Sequence, residues 1–174
     1  KAKKYFERAV ELDSSFAEAN AYLALAYFNL SDWAITGSSN KQRESAIDSA
    51  RLLATRAIAL DPLSSGAHLA MGSYYSHEND FYRAQCEKRR AVELSPGGAE
   101  EKFILASFLS QFGQPEEAIA LSEEALRLNP LDPSSELKCI KTLYFSGRYQ
   151  EGKERCIRMI EQGQMVAGAY QFLS

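Results

Sequence analysis

Histidines, cysteines and paired carboxylates are the side chains in this chain whose chemistry could be catalytic, and their spacing argues against that use. His68 and His77 stand nine residues apart, too far to share one helical face as paired ligands, and no H-E-x-x-H run occurs. His77, near a helix end, reads as a solvated cap favoured by the helix dipole. Glu116-Glu117 and Glu123-Glu124 are adjacent carboxylates, but acidic residues early in a helix are ordinary, and nothing near them in sequence would perturb a pKa. The 10 glycines fall in turns or singly within helices, so there is no phosphate-cradling loop, and no nucleophile elbow is present. Cys86, Cys139 and Cys156 are odd in number and lack metal-ligand spacing, which argues against both a disulfide framework and a zinc site. Cys139 and Cys156 occupy stripe positions on successive helices, either as small buried thiols of a reducing compartment or as a redox pair. The expectation is therefore no enzyme, no metal and no cofactor.

The elements that carry these residues repeat. Residues 66–96 read as two helix-period segments broken at Asn79-Asp80 and closed by Ser95-Pro96. His68, Met71, Gly72 and Tyr75 share one stripe of the first segment, and Ala84, Lys88 and Ala91 share one stripe of the second. A shift of 34 residues restores the pattern: Met71, Leu105 and Cys139 are in register, as are Tyr75, Leu109 and Leu143, then Ala84, Ala118 and Gly152, and the terminators Pro62, Pro96 and Pro130. Ala2, Phe6 and Ala9 match Ala50, Ala54 and Ala57 at an offset of 48, which is one period plus 14 inserted residues. Helical patterning fails over residues 31–39, so the insertion is placed near 31–44, with Ser39-Asn40-Lys41-Gln42 as a capping box opening a long helix that runs to Leu60 before Asp61-Pro62.

This pattern resembles the tetratricopeptide repeat, W-x2-L-G-x2-Y, then A-x3-F, A and P within 34 residues. The resemblance covers almost the whole chain and departs at the aromatics. The opening aromatic is replaced by Asn20, His68, Lys102 and Glu136; the glycine survives only at Gly72; the second-helix aromatic survives only at Phe6, with Ala54, Lys88, Ser122 and Cys156 elsewhere. At the opening position His68 is expected as a packed ring. The implied fold is all-α, a right-handed α-α superhelix of antiparallel helix hairpins, in one domain over 1–174. Its expected parts are a half repeat at 1–16, a repeat with the insertion at 17–64, repeats at 65–98, 99–132 and 133–166, and the start of another at 167–174. A hairpin this short cannot bury its apolar stripe alone, so neighbours close the core. Small residues such as Gly72, Ala84, Ala91, Ala118 and Ala125 would let the helices approach.

A net charge of −3 gives no electrostatic reason to bind nucleic acid or an anionic membrane, and the longest apolar run, Ala21 to Phe28, is too short to span a bilayer. The chain reads as a cytoplasmic piece of something larger, since it starts inside a helix without methionine, and its uncapped ends leave self-association open. In the tetratricopeptide family the first helices line a concave groove for peptides. The resemblance places Ala21, Leu25 and Phe28, then Leu69, Ser73 and Ser76, then Phe103, Ser107 and Ser110, then Leu137, Lys141 and Tyr144 in that groove, flanked by Glu18 and Glu100. Only Lys141 fits the family's two-carboxylate clamp, and the asparagine ladder of its sugar-transferase members is missing. The expected partner is a mostly apolar peptide segment or helix of another protein, anchored on Phe28, Phe103 and Tyr144; the alternative is that these residues only pack neighbouring repeats. Trp33, the sole tryptophan, either pins the inserted loop to its scaffold or binds.

A narrower resemblance joins residues 46–62 and the run Gly66-Ala67-His68-Leu69-Ala70-Met71-Gly72 to repeat regions of bacterial class III adenylate cyclases and transcription regulators, where an elongated second helix ends in alanine-leucine-aspartate-proline. It implies a regulatory or partner-sensing region of a bacterial signalling protein. A free-standing adaptor and an enzyme with an unrecognised site are the rival readings.

Overall fold

The computed structural model describes the backbone of residues 2–33, 40–164 and 172; the side chains of residues 2, 29–33 and 40 lie outside that description. The described residues form helices and turns and no strands. The helices are α1 (Ala2–Leu12), α2 (Ala17–Trp33), α3 (Asn40–Leu60), α4 (Ser65–His77), α5 (Phe81–Leu94), α6 (Ala99–Gln111), α7 (Pro115–Leu128), α8 (Pro133–Phe145) and α9 (Tyr149–Glu161). They gather into two compact units, Lys1–Ser95 and Pro96–Ser174.

In the first unit α2 pairs with α3 and α4 with α5, while α2 lies against α1 and α4, and α3 also touches α4. In the second, α6 pairs with α7 and α8 with α9, with α6 and α7 both against α8. Within each unit the two first helices of the hairpins thus lie side by side, and α3 or α7 fills the gap behind its pair.

The turn inside each regular hairpin is set by one backbone position. Asn79, Gly113 and Gly147 recur every 34 residues and all adopt the left-handed conformation, with φ of 58°, 76° and 76°. The next amide then reaches back to the carbonyl five residues earlier: Asp80 N to Tyr75 O (2.9 Å), Gln114 N to Leu109 O (3.1 Å), Arg148 N to Leu143 O (2.9 Å). This closes the helix end by satisfying a carbonyl that has no partner within the helix. Second helices start on Asp80, whose carboxylate accepts the Arg83 amide at 3.0 Å, or on Pro115, whose missing N–H costs nothing there.

The small stripe residues pack as expected. Ala50, Ala54, Ala57, Ala84, Ala91, Ala118 and Ala125 are fully buried, and Leu69, Leu105, Leu109, Ile140 and Leu143 fill the space between them. The burial of each such large side chain contributes about 1.5–3 kcal/mol.

The inserted residues differ from the expectation of a broken helical pattern at 31–39. Helix α2 has 17 residues against 13 in α4, and α3 has 21 against 14 in α5. Four and seven of the fourteen extra residues therefore lengthen existing helices. Backbone hydrogen bonding of an established helix continues cheaply through Ser31 and Asp32, which by propensity alone favour turns. The proposed cap at Ser39 and the side chain of Trp33 fall outside the described residues, as does Leu173.

Candidate functional site

Two first helices, α6 and α8, lie side by side in the second unit, and between them is a shallow cavity of about 150 Å³. Phe103, Ile104 and Ser107 line it from α6, and Lys138, Lys141 and Thr142 from α8, with Glu100 at one end. The spacing, i, i+1, i+4 on α6 and i, i+3, i+4 on α8, explains this set: the wall is wider than a single stripe. Lys138 pairs with Glu100 and holds its ammonium 5.0 Å from the centre of the Phe103 ring, an arrangement that fixes the lysine across the groove. The exposed Lys141 ammonium lies 5.8 Å from the Phe145 ring centre. Thr142 donates back to Lys138 O at 3.0 Å, whereas among the described residues the Ser107 hydroxyl has no partner. The site can offer an apolar floor, one free hydroxyl and two ammonium groups, a combination suited to binding rather than bond breaking.

Phe103, Ser107 and Lys141 of the sequence-predicted groove residues come together here. Lys138, Ile104 and Thr142 lie outside the single stripe per helix that the repeat pattern marks, so the sequence does not single them out. Ser110 is buried and donates to Ser107 O at 2.9 Å. Leu137 packs on the cluster of Ile140, Cys156 and Met159. Tyr144 is half-buried, edge-on to Tyr149 at 4.8 Å and 5.6 Å from Phe172. Phe103 itself is 4% exposed and packs with Ala99, Ala125 and Cys139.

In the first unit Ala21 is buried against Ala57 and Ala67, and Leu69 is buried as well. Leu25 packs on the cluster around Ala24 and Ala54. Phe28, expected as an anchor, is 3% exposed, and its ring stacks on His77 at 5.2 Å, so it serves the unit's own core. The same contact makes His77 a half-buried stacking partner instead of a solvated cap. Ser73 donates to Leu69 O at 3.0 Å and Ser76 to Gly72 O at 2.9 Å. His68 is held by polar contacts, with Nδ1 2.6 Å from Glu87 Oε2 and Nε2 3.0 Å from Pro62 O.

The other candidates for chemistry are also bound up in packing. Glu123 pairs with Arg155, and Glu124 lies 3.4 Å from Lys102 Nζ. Cys139 and Cys156 are fully buried free thiols in separate clusters. The Cys139 thiol donates to Ser122 O at 3.1 Å, and burial pushes its pKa up to about 12, which keeps it from acting as a nucleophile near neutral pH. Among the described residues no cluster of His, Cys, Asp and Glu could hold a metal ion, and no helix is long and apolar enough to cross a membrane.

Hairpins of this length, period and packing define a tetratricopeptide array, and the tetratricopeptide-repeat family profile matches residues 102–130. The fold is that family's, and residues 102–130 carry its repeat. Cellulose synthase operon protein C of Pseudomonas fluorescens is 32% identical over 120 residues, which is 69% of this chain and 9% of that protein, so the chain spans only a small part of this relative's length. Among solved structures, a thermophilic tetratricopeptide protein of Thermus thermophilus superposes with a TM-score of 0.65 at 20% identity, covering 82% of this chain and 72% of that one. PilF of Pseudomonas aeruginosa superposes with 0.62 at 22% identity over 98% of this chain and 72% of that one. YrrB, described as having an unusual peptide-binding site, superposes with 0.56 at 18% identity over 97% and 79%. These structures share the fold.

Proposed function

We propose that the chain is a non-catalytic scaffold that binds a peptide segment of another protein in the groove between α6 and α8. The observation that supports this most is the cavity itself: the Phe103 ring and Ile104 form an apolar wall while the Lys138 and Lys141 ammoniums stand beside it. A guest that lays an apolar side chain on the half-buried Ile104, at the edge of Phe103, and turns a carboxylate toward Lys141 satisfies both. Lys138 is already paired with Glu100, so Lys141 is the cation with more to gain. Binding by YrrB at a peptide site on the same fold is in line with this use.

The test is a photo-crosslinking residue at Ser107, with exposed Lys153 on α9 as control, followed by affinity measurement on the captured segment as a synthetic peptide. Ile104→Ala and Lys141→Ala are each expected to weaken binding by more than about 1 kcal/mol. Crosslinking equal at both positions, or affinity unchanged in both variants, overturns the reading. In a longer polypeptide the same groove would serve a regulatory or partner-sensing role, as the resemblance of residues 46–72 to signalling proteins implies; an attached effector whose output ignores the peptide would remove that extension. Three unpaired cysteines accord with a reducing, cytoplasmic setting.

A further inference from the structure

The position that opens each hairpin is polar throughout this chain, and in three of the four repeats it does the same thing. Asn20 Nδ2 donates to Ser14 O at 3.2 Å, His68 Nε2 lies 3.0 Å from Pro62 O, and Lys102 Nζ donates to Pro96 O. Each carbonyl lies six residues back, at the turn that leads into the helix. His68 and Lys102 also reach a carboxylate of their own second helix, Glu87 and Glu124.

The fourth repeat breaks the rule. Its opening residue is Glu136, whose carboxylate has no proton to give Pro130 O, and among the described residues no hydrogen bond reaches that carbonyl. Glu136 instead accepts from Arg155 at 3.3 Å, and Arg155 also binds Glu123. Across the gap the charge order is reversed as well. Glu124, the carboxylate near Lys102 in the third repeat, is matched one period later by Arg158. Arg158 makes no ion pair among the described residues. Where the sibling hairpin holds its own lysine, a cavity of about 300 Å³ remains.

Its walls are of three kinds. Pro130 O, Asp132 and Glu136 supply acceptors on the α8 side; Arg158, Gln162 and Gln164 supply donors on the α9 side. Leu131, Pro133 and Met159 form the apolar part, and Leu131 is 95% exposed with no core contact to account for it. We propose that this cavity binds a free α-amino acid with an apolar side chain. The ammonium takes the place that Lys102 fills in the sibling hairpin, facing Pro130 O and Glu136. The carboxylate meets the Arg158 guanidinium, and the side chain covers Leu131 and Met159.

Charge selects this class over its competitors. Two carboxylates and two guanidiniums line the cavity, and Arg155 is already neutralised by Glu123 and Glu136, so a simple anion meets one available cation and two acids. A simple cation meets Arg158 with no counter-charge of its own. A zwitterion answers both ends, and its carboxylate can take a guanidinium bidentately. A sugar is disfavoured because the walls carry no aromatic ring to receive its flat face. The volume is at the lower end of the roughly 300–1,000 Å³ seen for ligand pockets, as a small guest requires.

The experiment uses the whole chain with carbon-13 methyl-labelled methionine, so that Met159 reports from the cavity wall, and calorimetric titration alongside. L-leucine, L-valine and L-methionine are the probes; 4-methylpentanoate lacks the amine, isoamylamine lacks the carboxylate, and glucose is the polyol control. The expected result is a saturable shift of the Met159 signal with at least one amino acid. Each truncated analogue and the Arg158→Gln variant should then bind about tenfold more weakly. Arg158 is exposed, so this variant keeps the fold. Glu136→Lys, which sets a lysine where the third repeat carries one, should abolish binding. No saturable shift with any of the three amino acids, equal binding of an analogue or of glucose, or undiminished binding to Glu136→Lys overturns the proposal.

Discussion

Lys88 is folded over Gly72: its ammonium donates to the Gly72 carbonyl at 2.7 Å and to the Ser76 hydroxyl at 2.8 Å, and a Cβ on residue 72 would stand 2.8 Å from Lys88 Cγ. The slot that an aromatic ring fills in the tetratricopeptide pattern is here occupied by a lysine stem lying across α4. The glycine of the pattern survives in this repeat alone, the one in which the second helix sends a long flexible chain into that slot.

Burial of Lys88, a residue only 4% exposed, lowers its pKa from 10.5 to about 7. The unfolded chain keeps the proton up to the ordinary lysine range, whereas the folded chain releases it near neutrality. Over that interval the unfolded state holds more protons, so stability rises with pH from about 7 toward 10.5 and is lowest below it. Lys88→Met keeps the stem and removes the charge. It should raise stability at pH 6 by about 1 kcal/mol or more and flatten the rise, read by urea unfolding across pH. A rise as steep in the variant as in the parent would assign it to other groups.

The same contact predicts a coupling. Gly72→Ala brings a methyl against Lys88 Cγ and, at 3.2 Å, the Ala84 carbonyl, and should cost about 1–3 kcal/mol by overpacking. In a Lys88→Ala background the side-chain clash is gone and only the backbone contact remains. The cost of Gly72→Ala should then shrink by at least about 0.5 kcal/mol, measured as a double-mutant cycle. Additive effects would mean that Ala84 O alone sets the limit.

The period, the hairpins and the helix end at Leu60 are legible in the sequence because each rests on local chemistry: small residues on one stripe, a break at Asn79-Asp80, proline after the last turn. The α6–α8 groove was only half legible. Phe103, Ser107 and Lys141 lie on the followed stripe, but Lys138 and Thr142 enter from the neighbouring one, and the pairing of Lys138 with Glu100 spans 38 residues that no local pattern links. Phe28 shows the converse. Its stripe position suits a groove, but the ring of His77 stacks on it and Ala24, Ala50, Ala54 and Ala70 pack around it, contacts that the period does not reveal. The fourth-repeat cavity was invisible for the same reason: Glu136 reads as one more lost aromatic until the Pro130 carbonyl, unbonded among the described residues, is seen to line the same cavity.

Thiol accessibility divides the three cysteines. Cys86 is exposed, while Cys139 and Cys156 are fully buried, and burial raises the pKa of both buried thiols. A maleimide reagent at neutral pH should modify one thiol rapidly in the native chain and all three after denaturation, with Cys86 identified by peptide mapping. Two or more thiols modified at the same rate natively would show that the second unit opens on the labelling timescale.

Gly152 and Ala118 test the register in opposite directions. They are period mates on the inner stripe of α9 and α7, and both are buried. A Cβ on Gly152 would meet the Ile140 carbonyl and the Leu143 Cβ, each at 3.7 Å, which is ordinary contact, and the residue lies within α9. Gly152→Ala therefore removes backbone freedom from the unfolded chain without a clash and should stabilise by about 0.4–1 kcal/mol. Ala118 already carries its methyl at zero exposure, so Ala118→Leu must push α7 from its neighbours and should destabilise by about 1–3 kcal/mol. Both are read as shifts of the thermal midpoint. If Gly152→Ala lowers the midpoint while Ala118→Leu leaves it in place, the two residues do not share a packing position and the 34-residue register of the second unit is wrong.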